Sequence, residues 1–101
     1  MTKKLARLRA LLEADPANPF GWYSLAMEQK KTDVSEALGT FEKVHSEFAS
    51  YLPNYYHYAQ TLADEAEMDR ARTIYEEGIA LAQKSGDAHA EGELKEALAL
   101  L

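Results

Sequence analysis

Three histidines are the residues of this sequence best suited to acid–base or metal chemistry. His45, His57 and His89 are far apart in the chain, and no His-Glu-x-x-His or similar ligand spacing joins them. His57 lies within a Tyr-Tyr-His-Tyr run and could serve as a general base, but neither a nucleophile nor an orienting carboxylate accompanies it at helical spacing. Cysteine is absent, which excludes a thiolate zinc site and a cysteine nucleophile. The sequence therefore predicts a protein that is not an enzyme, with no catalytic residue, metal site or cofactor.

Acidic side chains are the other group that could do chemistry. Residues 64–67 read Asp-Glu-Ala-Glu and Asp69 follows, a run that could attract a basic partner or a hard cation. The loop glycine and alternating ligands of a calcium site are missing, so a solvated turn is the expected structure. The formal net charge of the chain is −6, and residues 64–101 carry ten acidic against four basic side chains. Because this balance repels phosphate backbones, we expect no nucleic-acid partner.

Length and composition favour one folded domain in a reducing compartment. The chain has 101 residues, of which 47% are hydrophobic and 28% charged, well away from the composition of disordered chains. No apolar run approaches the length of a membrane span. The basic residues of positions 1–14 mimic the charged start of a signal peptide, but Arg7 and Arg9 interrupt any apolar stretch and no small-residue cleavage site follows. We expect a cytoplasmic protein without a membrane partner.

Leucines at helical spacing predict the first helix, over residues 3–13. Thr2 could cap its start, and Asp15-Pro16 should end it, because the residue before a proline is pushed out of helical geometry. Such a basic amphipathic helix could lie on an anionic membrane surface, although packing on the next hairpin is the expected arrangement. The leucines of the stripe are Leu5, Leu8 and Leu12, widened by Leu11.

Capping residues mark the helix starts that follow. Asn18-Pro19 combines a capping side chain with a proline at the first helical position. Asp33 should cap the next helix, with Glu36 completing a capping box. Asp87 should cap the last helix.

Two glycines towards the end of the chain have separate expected roles. Gly78 lies inside a predicted helix, where glycine is less favourable than alanine by about 1 kcal/mol, so we expect another helix to pass close to it. Gly86 should take the left-handed conformation that ends the same helix.

One pattern of small and aromatic residues occurs twice. The two copies are offset by 33 residues in their first helix and by 34 in their second, a period typical of stacked helical repeats. In the first helix, Trp22, Ala26 and Gln29 match Tyr55, Ala59 and Leu62. In the second helix, Ala37, Phe41 and Val44 match Ala71, Tyr75 and Gly78.

This pattern resembles the tetratricopeptide repeat (TPR) family, whose unit is a 34-residue helical hairpin with small and aromatic residues at these positions. Two departures are that Gln29 stands where the family has a tyrosine and that Val44 is larger than the usual residue. The resemblance implies an all-α fold of about six helices in a short right-handed superhelix. Within this single TPR-like domain, residues 1–15 would form an N-terminal half-repeat, 18–50 the first repeat, 52–85 the second, and 87–101 a C-terminal capping helix.

The resemblance also implies a concave groove lined by the first helix of each repeat. Tyrosines there are common binding anchors, although some could simply wedge between helices. The implied function is a non-catalytic protein–protein interaction module that binds a peptide or partner helix in this groove. The implied peptide-binding residues are Phe20, Tyr23, Met27, Lys30, Tyr56, His57 and Gln60, accompanied in the groove by Pro53, Asp64, Ala90 and Leu94.

A structural or self-assembling protein is the alternative. Leu98, Leu100 and Leu101 make the end of the sequence unusually apolar. Such a surface could form a homodimer through the terminal helices. The sequence names no partner.

Overall fold

The computed structural model describes residues 3–101, in which six α-helices and no strand are formed. The predicted all-α fold of six helices is confirmed. The predicted cap at Thr2 lies outside the described residues. Within the described part, no helix is long and apolar enough to cross a membrane. The helices are α1 (Lys3–Ala14), α2 (Pro19–Gln29), α3 (Val34–Glu47), α4 (Pro53–Asp64), α5 (Met68–Ser85) and α6 (Ala88–Ala99).

The helices fall into two compact units. The first unit contains α1 to α3 and ends at Tyr51, and the second begins at Leu52 and contains α4 to α6. In the first unit α2 packs against both α1 and α3, and in the second α5 packs against both α4 and α6. Because the joints between consecutive helices are short, neighbours within a unit are antiparallel. The finer division into a half-repeat, two repeats and a cap stays a prediction.

The three predicted helix caps are formed. The side chains of Asn18, Asp33 and Asp87 each accept a hydrogen bond from a backbone N–H of the following helix, at 3.0, 3.1 and 3.0 Å. The capping box predicted at Glu36 is wrong. The backbone N–H of Asp33 donates to the carbonyl of Gln29 at 2.7 Å, which leaves no donor for the Glu36 carboxylate. That carboxylate instead accepts from the Gln29 side chain at 2.9 Å.

Gly78 is the point at which the three helices of the second unit meet. A Cβ atom on this glycine would lie 2.8 Å from Tyr55 Cβ of α4 and 3.2 Å from Leu94 Cδ1 of α6. Both distances are closer than ordinary van der Waals contact, so the close approach predicted at this position is confirmed. Gly86, at the carboxyl end of α5, has φ of 74° and takes the left-handed conformation, also as predicted.

One part of the core of the first unit joins α1 to α2, and the fully buried Phe41 and Val44 of α3 form another part. A cluster of three buried leucines has two partly buried side chains packed against it. Leu11 is 63% exposed, so its predicted place in the apolar stripe is wrong. In this unit α1 packs mainly on α2, and one neighbouring helix covers only a narrow stripe. The buried leucines are Leu5, Leu12 and Leu25, and the packed side chains are Leu8 and Trp22.

The core of the second unit is more aromatic. Ala59 and Ala71 are completely buried at the α4–α5 contact, as are Ala26 and Ala37 at the α2–α3 contact of the first unit. Small side chains at these matched positions let the paired helices pack closely. The larger buried side chains of the second unit are Tyr55, Tyr58, Leu62, Ile74, Tyr75 and Leu94.

Gln29 is the centre of a polar network in the first unit. It is only 3% exposed, its Nε2 donates to Glu36 Oε1 at 2.9 Å, and its Oε1 accepts from the Thr40 hydroxyl at 2.6 Å. The guanidinium of Arg9 reaches the same Glu36 oxygen at 2.7 Å. The network therefore connects α1, α2 and α3. The repeat pattern places Gln29 in the inward stripe, which is confirmed, but gives no sign of these partners.

Replacing Gln29 with leucine should change the free energy of unfolding by less than about 1 kcal/mol. Leucine is the matching residue of the second unit, at Leu62. The remaining polar groups stay satisfied, because the Thr40 hydroxyl also donates to the Glu36 carbonyl at 3.2 Å and the Glu36 carboxylate is exposed to water. Gln29→Ala should lower the free energy of unfolding by about 2–3 kcal/mol, since the shorter side chain loses the hydrogen bonds and also leaves a cavity. Urea denaturation measures both; equal losses for the two variants would contradict this account.

Candidate binding groove

A pocket of about 410 Å³ lies between the first turns of α4 and α6. Both helices are antiparallel to α5 and therefore run in the same direction, which brings their amino-terminal turns to one end of the unit. The lining is mainly apolar and aromatic, with acidic and histidine side chains at its edge. The lining residues are Leu52, Pro53, Tyr56, His57, Asp87, His89, Ala90, Glu93 and Leu94.

A second pocket, of about 280 Å³, lies towards the carboxyl ends of the same two helices. Tyr56 and Glu93 line both pockets, so the two are parts of one depression, which we name the α4–α6 groove. The remaining residues of the second pocket are Gln60, Ala63, Asp64, Tyr75, Glu96, Ala97, Leu100 and Leu101.

The ring of Tyr56 stands between the two pockets. Its centroid lies 5.2 Å from that of His57 and 6.3 Å from that of Tyr75, with interplanar angles of 69° and 74°. These are the edge-to-face contacts that aromatic rings prefer, and they fix the half-buried Tyr56 ring in one orientation. Burial raises the pKa of Tyr75, and Tyr56 and Asp64 raise it further. Tyr75 therefore keeps its phenolic proton at neutral pH.

Carboxylates dominate the charge of the α4–α6 groove. Four acidic side chains line it, and none of its lining residues is a lysine or an arginine. Asp87 caps α6, and Glu93 Oε1 lies 2.9 Å from Nε2 of His89. Within the described residues, Asp64 and Glu96 form no ion pair. The groove therefore presents negative charge along an apolar and aromatic surface.

In the first unit, the predicted binding residues lie on α2 and at its carboxyl cap. Phe20 is 60% exposed, whereas Tyr23, Met27 and Lys30 are half-buried. The Tyr23 ring packs against that of Tyr51, with centroids 5.5 Å apart and planes tilted by 58°. Burial raises the pKa of Tyr23, and Tyr51 raises it further. Tyr51 was not predicted, because it lies in a joint where no helical periodicity marks it.

A separate pocket of about 300 Å³ in the first unit lies beside Trp22 and contains none of the predicted binding residues. Trp22 Nε1 donates to the Pro16 carbonyl at 2.8 Å, and the Lys43 ammonium lies 4.6 Å from the centre of the Trp22 ring. Both of these partners of Trp22 belong to the first unit, so Trp22 has a structural role there.

Solved structures show what this arrangement is similar to. A solution NMR structure of a tetratricopeptide repeat domain protein from Salinibacter ruber matches with a TM-score of 0.79 and 34% identity, over 83% of this chain and 86% of that one. The chain belongs to the tetratricopeptide repeat family. A crystal structure of the tetratricopeptide repeat domain protein from the same organism matches with a TM-score of 0.74 and 33% identity, over 80% of this chain and 91% of that one. Neither the family models nor the curated proteins give a match.

Membership of the TPR family confirms the predicted resemblance. It also supports the coarser functional prediction, that of a general protein-interaction module, because stacked helical repeats provide extended binding surfaces.

Two of the three histidines of this TPR domain share one pocket. His57 and His89 both line the first pocket of the α4–α6 groove, although their distance in the sequence gave no sign of this. His45 lies on α3 in the other unit, 3.8 Å from Glu42. Among residues 3–101, no group of three histidine, cysteine, aspartate or glutamate side chains is placed to hold a metal ion.

Some of the predicted binding residues line the α4–α6 groove, and some residues that line it were not predicted. The predicted residues Tyr56 and His57 line its first pocket and Gln60 its second, while their role in binding stays a prediction. Glu93 and Ala97 were not predicted. Helical spacing from Ala90 would have found both, had α6 been treated as a groove helix along its whole length.

Proposed function

We propose that this chain is a cytoplasmic, non-catalytic interaction module that binds a peptide or partner helix in the α4–α6 groove. The observation that carries the proposal is the groove itself, with two connected pockets on either side of a fixed tyrosine ring. A peptide lying along it would place one side chain in each pocket. Grooves between helices with aromatic anchors are a recurring way of recognising peptides.

The proposed contacts follow the matched positions of the two units. Tyr56, His57 and Gln60 would bind from α4. In the first unit, Phe20 and Tyr23 of α2 are proposed as binding residues of that unit by itself, because Phe20 offers a large exposed ring and the Tyr23 ring packs against that of Tyr51. Rings that are fixed before binding lose little entropy when a partner arrives, which favours them as anchors. Met27 and Lys30 complete the proposed set.

Affinity capture from a lysate of the source cells tests the proposal. The wild-type chain and the Tyr56→Ala and Tyr23→Ala variants are immobilised in parallel, with Glu76→Ala as the control because Glu76 is exposed on α5 outside both pockets. We expect a protein that the wild type and the control retain and that Tyr56→Ala retains at least about tenfold less. Far-UV circular dichroism establishes that the variants are folded. Equal retention by Tyr56→Ala would rule out the groove as the binding site.

Self-association through the terminal helices is a second candidate function. It is favoured by the exposure of Leu11 on α1 and of Leu100 after α6, which are 63% and 88% exposed. In this case light scattering over a concentration series should show the mass rising towards that of a dimer, and Leu100→Glu should reverse the rise. A constant monomer mass would exclude this candidate.

A further inference from the structure

We infer that the α4–α6 groove selects a peptide in which a lysine or arginine lies close to an apolar side chain. This inference rests on the proposed function and specifies the chemistry of its partner. The apolar side chain occupies the pocket at the amino-terminal end of the groove, and the cation occupies the pocket at the carboxyl-terminal end.

The charges of the second pocket support the cationic half of this motif. Asp64, Glu93 and Glu96 surround it, and within the described residues neither Asp64 nor Glu96 has an ion-pair partner. Like charges that share a partly enclosed groove repel one another, and a cation from a partner relieves that repulsion. The same carboxylates would repel an acidic peptide or a phosphate group. Charge complementarity therefore favours a basic segment.

The basic residues of the second unit are not available to neutralise these carboxylates. Lys95 Nζ lies 2.7 Å from a Glu91 carboxylate oxygen, and Arg72 pairs with Asp69 at 3.3 Å. The Arg70 guanidinium lies 5.9 Å from the centre of the Tyr58 ring. The fourth basic side chain, Lys84, lies in the last turn of α5, and none of the four lines the groove. A basic segment of a partner would therefore supply the cation that the lining of the groove lacks.

Aromatic rings add a second reason for a cation. Tyr56 and Tyr75 form one wall of the second pocket, with their centroids 6.3 Å apart. Tyr75 is buried, so the half-buried Tyr56 ring is the one that a lysine ammonium or an arginine guanidinium placed among the carboxylates would approach, and ring faces attract cations. The alkyl stem of the same side chain can pack on Leu100, which is 88% exposed. A long basic side chain thus matches both the charged and the apolar surface of this pocket.

The first pocket supports the apolar half of the motif. It is lined by Leu52, Pro53, Ala90 and Leu94 and closed on one side by the Tyr56 ring. Because Tyr56 and Glu93 border both pockets, the two side chains of the partner must lie on the same face and near each other. That condition is met at a spacing of two residues in an extended peptide, or of three or four in a helix.

Titration of the isotope-labelled full chain with short synthetic peptides tests this inference. Each peptide carries one leucine and one test residue in a background of glycine, serine and alanine. The leucine and the test residue are two, three or four positions apart, and either one comes first. The test residue is lysine, arginine, glutamine or glutamate. We expect the best lysine and arginine peptides to bind at least about tenfold more tightly than their glutamine counterparts. In NMR spectra, the backbone amides whose chemical shifts change should be those of the groove. The advantage should shrink as salt is added.

Variants that remove charge without changing shape provide the matched comparison. The Asp64→Asn, Glu96→Gln double variant should lose the preference for lysine over glutamine while binding the glutamine peptide as the wild type does. The control Glu76→Gln, on the exposed face of α5, should keep the preference. Both replaced groove residues are exposed, so the fold should be retained.

Several results would overturn the inference. These are equal affinity for lysine, glutamine and glutamate peptides, no groove shifts with any peptide, and an unchanged lysine preference in the double variant. Groove shifts that grow with protein concentration in the absence of peptide would assign the groove to a second copy of the chain, which also overturns it. Equal binding of lysine and glutamine peptides that is lost in Tyr56→Ala would overturn the inference while leaving the proposed function intact.

Discussion

Phe41→Ala should lower the free energy of unfolding by about 3–5 kcal/mol. Phe41, on α3, is completely buried and is the largest of the fully buried side chains. Removing its ring loses the transfer free energy of the side chain and leaves a cavity that the surrounding helices can only partly close. A domain of this size has a total stability of roughly 5–15 kcal/mol, so this one change should remove much of it. Urea denaturation followed by circular dichroism gives the value.

Phe20→Ala is the matched control for this prediction. Phe20 is a phenylalanine of α2 that is 60% exposed, whereas Phe41 of α3 is completely buried. Its truncation leaves no cavity, and we expect a change within about 0.5 kcal/mol. A loss below about 1 kcal/mol for Phe41→Ala, or similar losses for the two variants, would mean that the packing around α3 is wrongly described.

Gly78→Ala should destabilise the protein by about 1–3 kcal/mol, although alanine is the better helix former. The added methyl group would lie 2.8 Å from Tyr55 Cβ. That atom is bonded directly to the α4 backbone, so no rotation of the Tyr55 side chain can move it away. The two helices must separate, and the loss of packing outweighs the gain of about 1 kcal/mol in helix propensity. Thermal unfolding should show a lower midpoint than that of the wild type.

Gly39→Ala should stabilise the protein, in contrast to Gly78→Ala. Gly39 lies inside α3 with nothing within 4 Å of the position that a Cβ would take. Helix propensity is then the dominant effect, and the free energy of unfolding should rise by about 0.5–1 kcal/mol. Gly92→Ala in α6 should behave in the same way, since its surroundings are equally open. A stabilising effect at Gly78, or a destabilising one at Gly39, would contradict the helix packing described above.

Features that depend on neighbouring residues were predictable from the sequence. The caps at Asn18 and Asp87 use side chains that bond to a backbone N–H two or three residues on, and Gly86 ends α5 through its own φ angle. Gly78 was predicted from its helical position and its place in the repeat, because a glycine inside a helix needs a packing reason.

Features that depend on distant residues were not predictable. Glu36 satisfies the capping-box pattern, yet its carboxylate bonds to Arg9, a residue 27 positions earlier, and to the buried Gln29. Local spacing cannot show which of several partners will be nearest once the helices have packed. The α4–α6 groove illustrates the same limit. Matching the repeats identified Tyr56, whereas Glu93 becomes part of the groove only because α5 holds α6 beside α4.

Trp22 is the one tryptophan of the chain, and it belongs to the first unit, where it contacts Pro16 and Lys43. Its fluorescence therefore reports on that unit alone, while circular dichroism reports on all six helices. Coincident melting curves from the two signals would show that both units unfold in one cooperative step. Separate curves would show that each half of this TPR domain has its own stability, so that the α4–α6 groove could open while the surroundings of Trp22 stay folded.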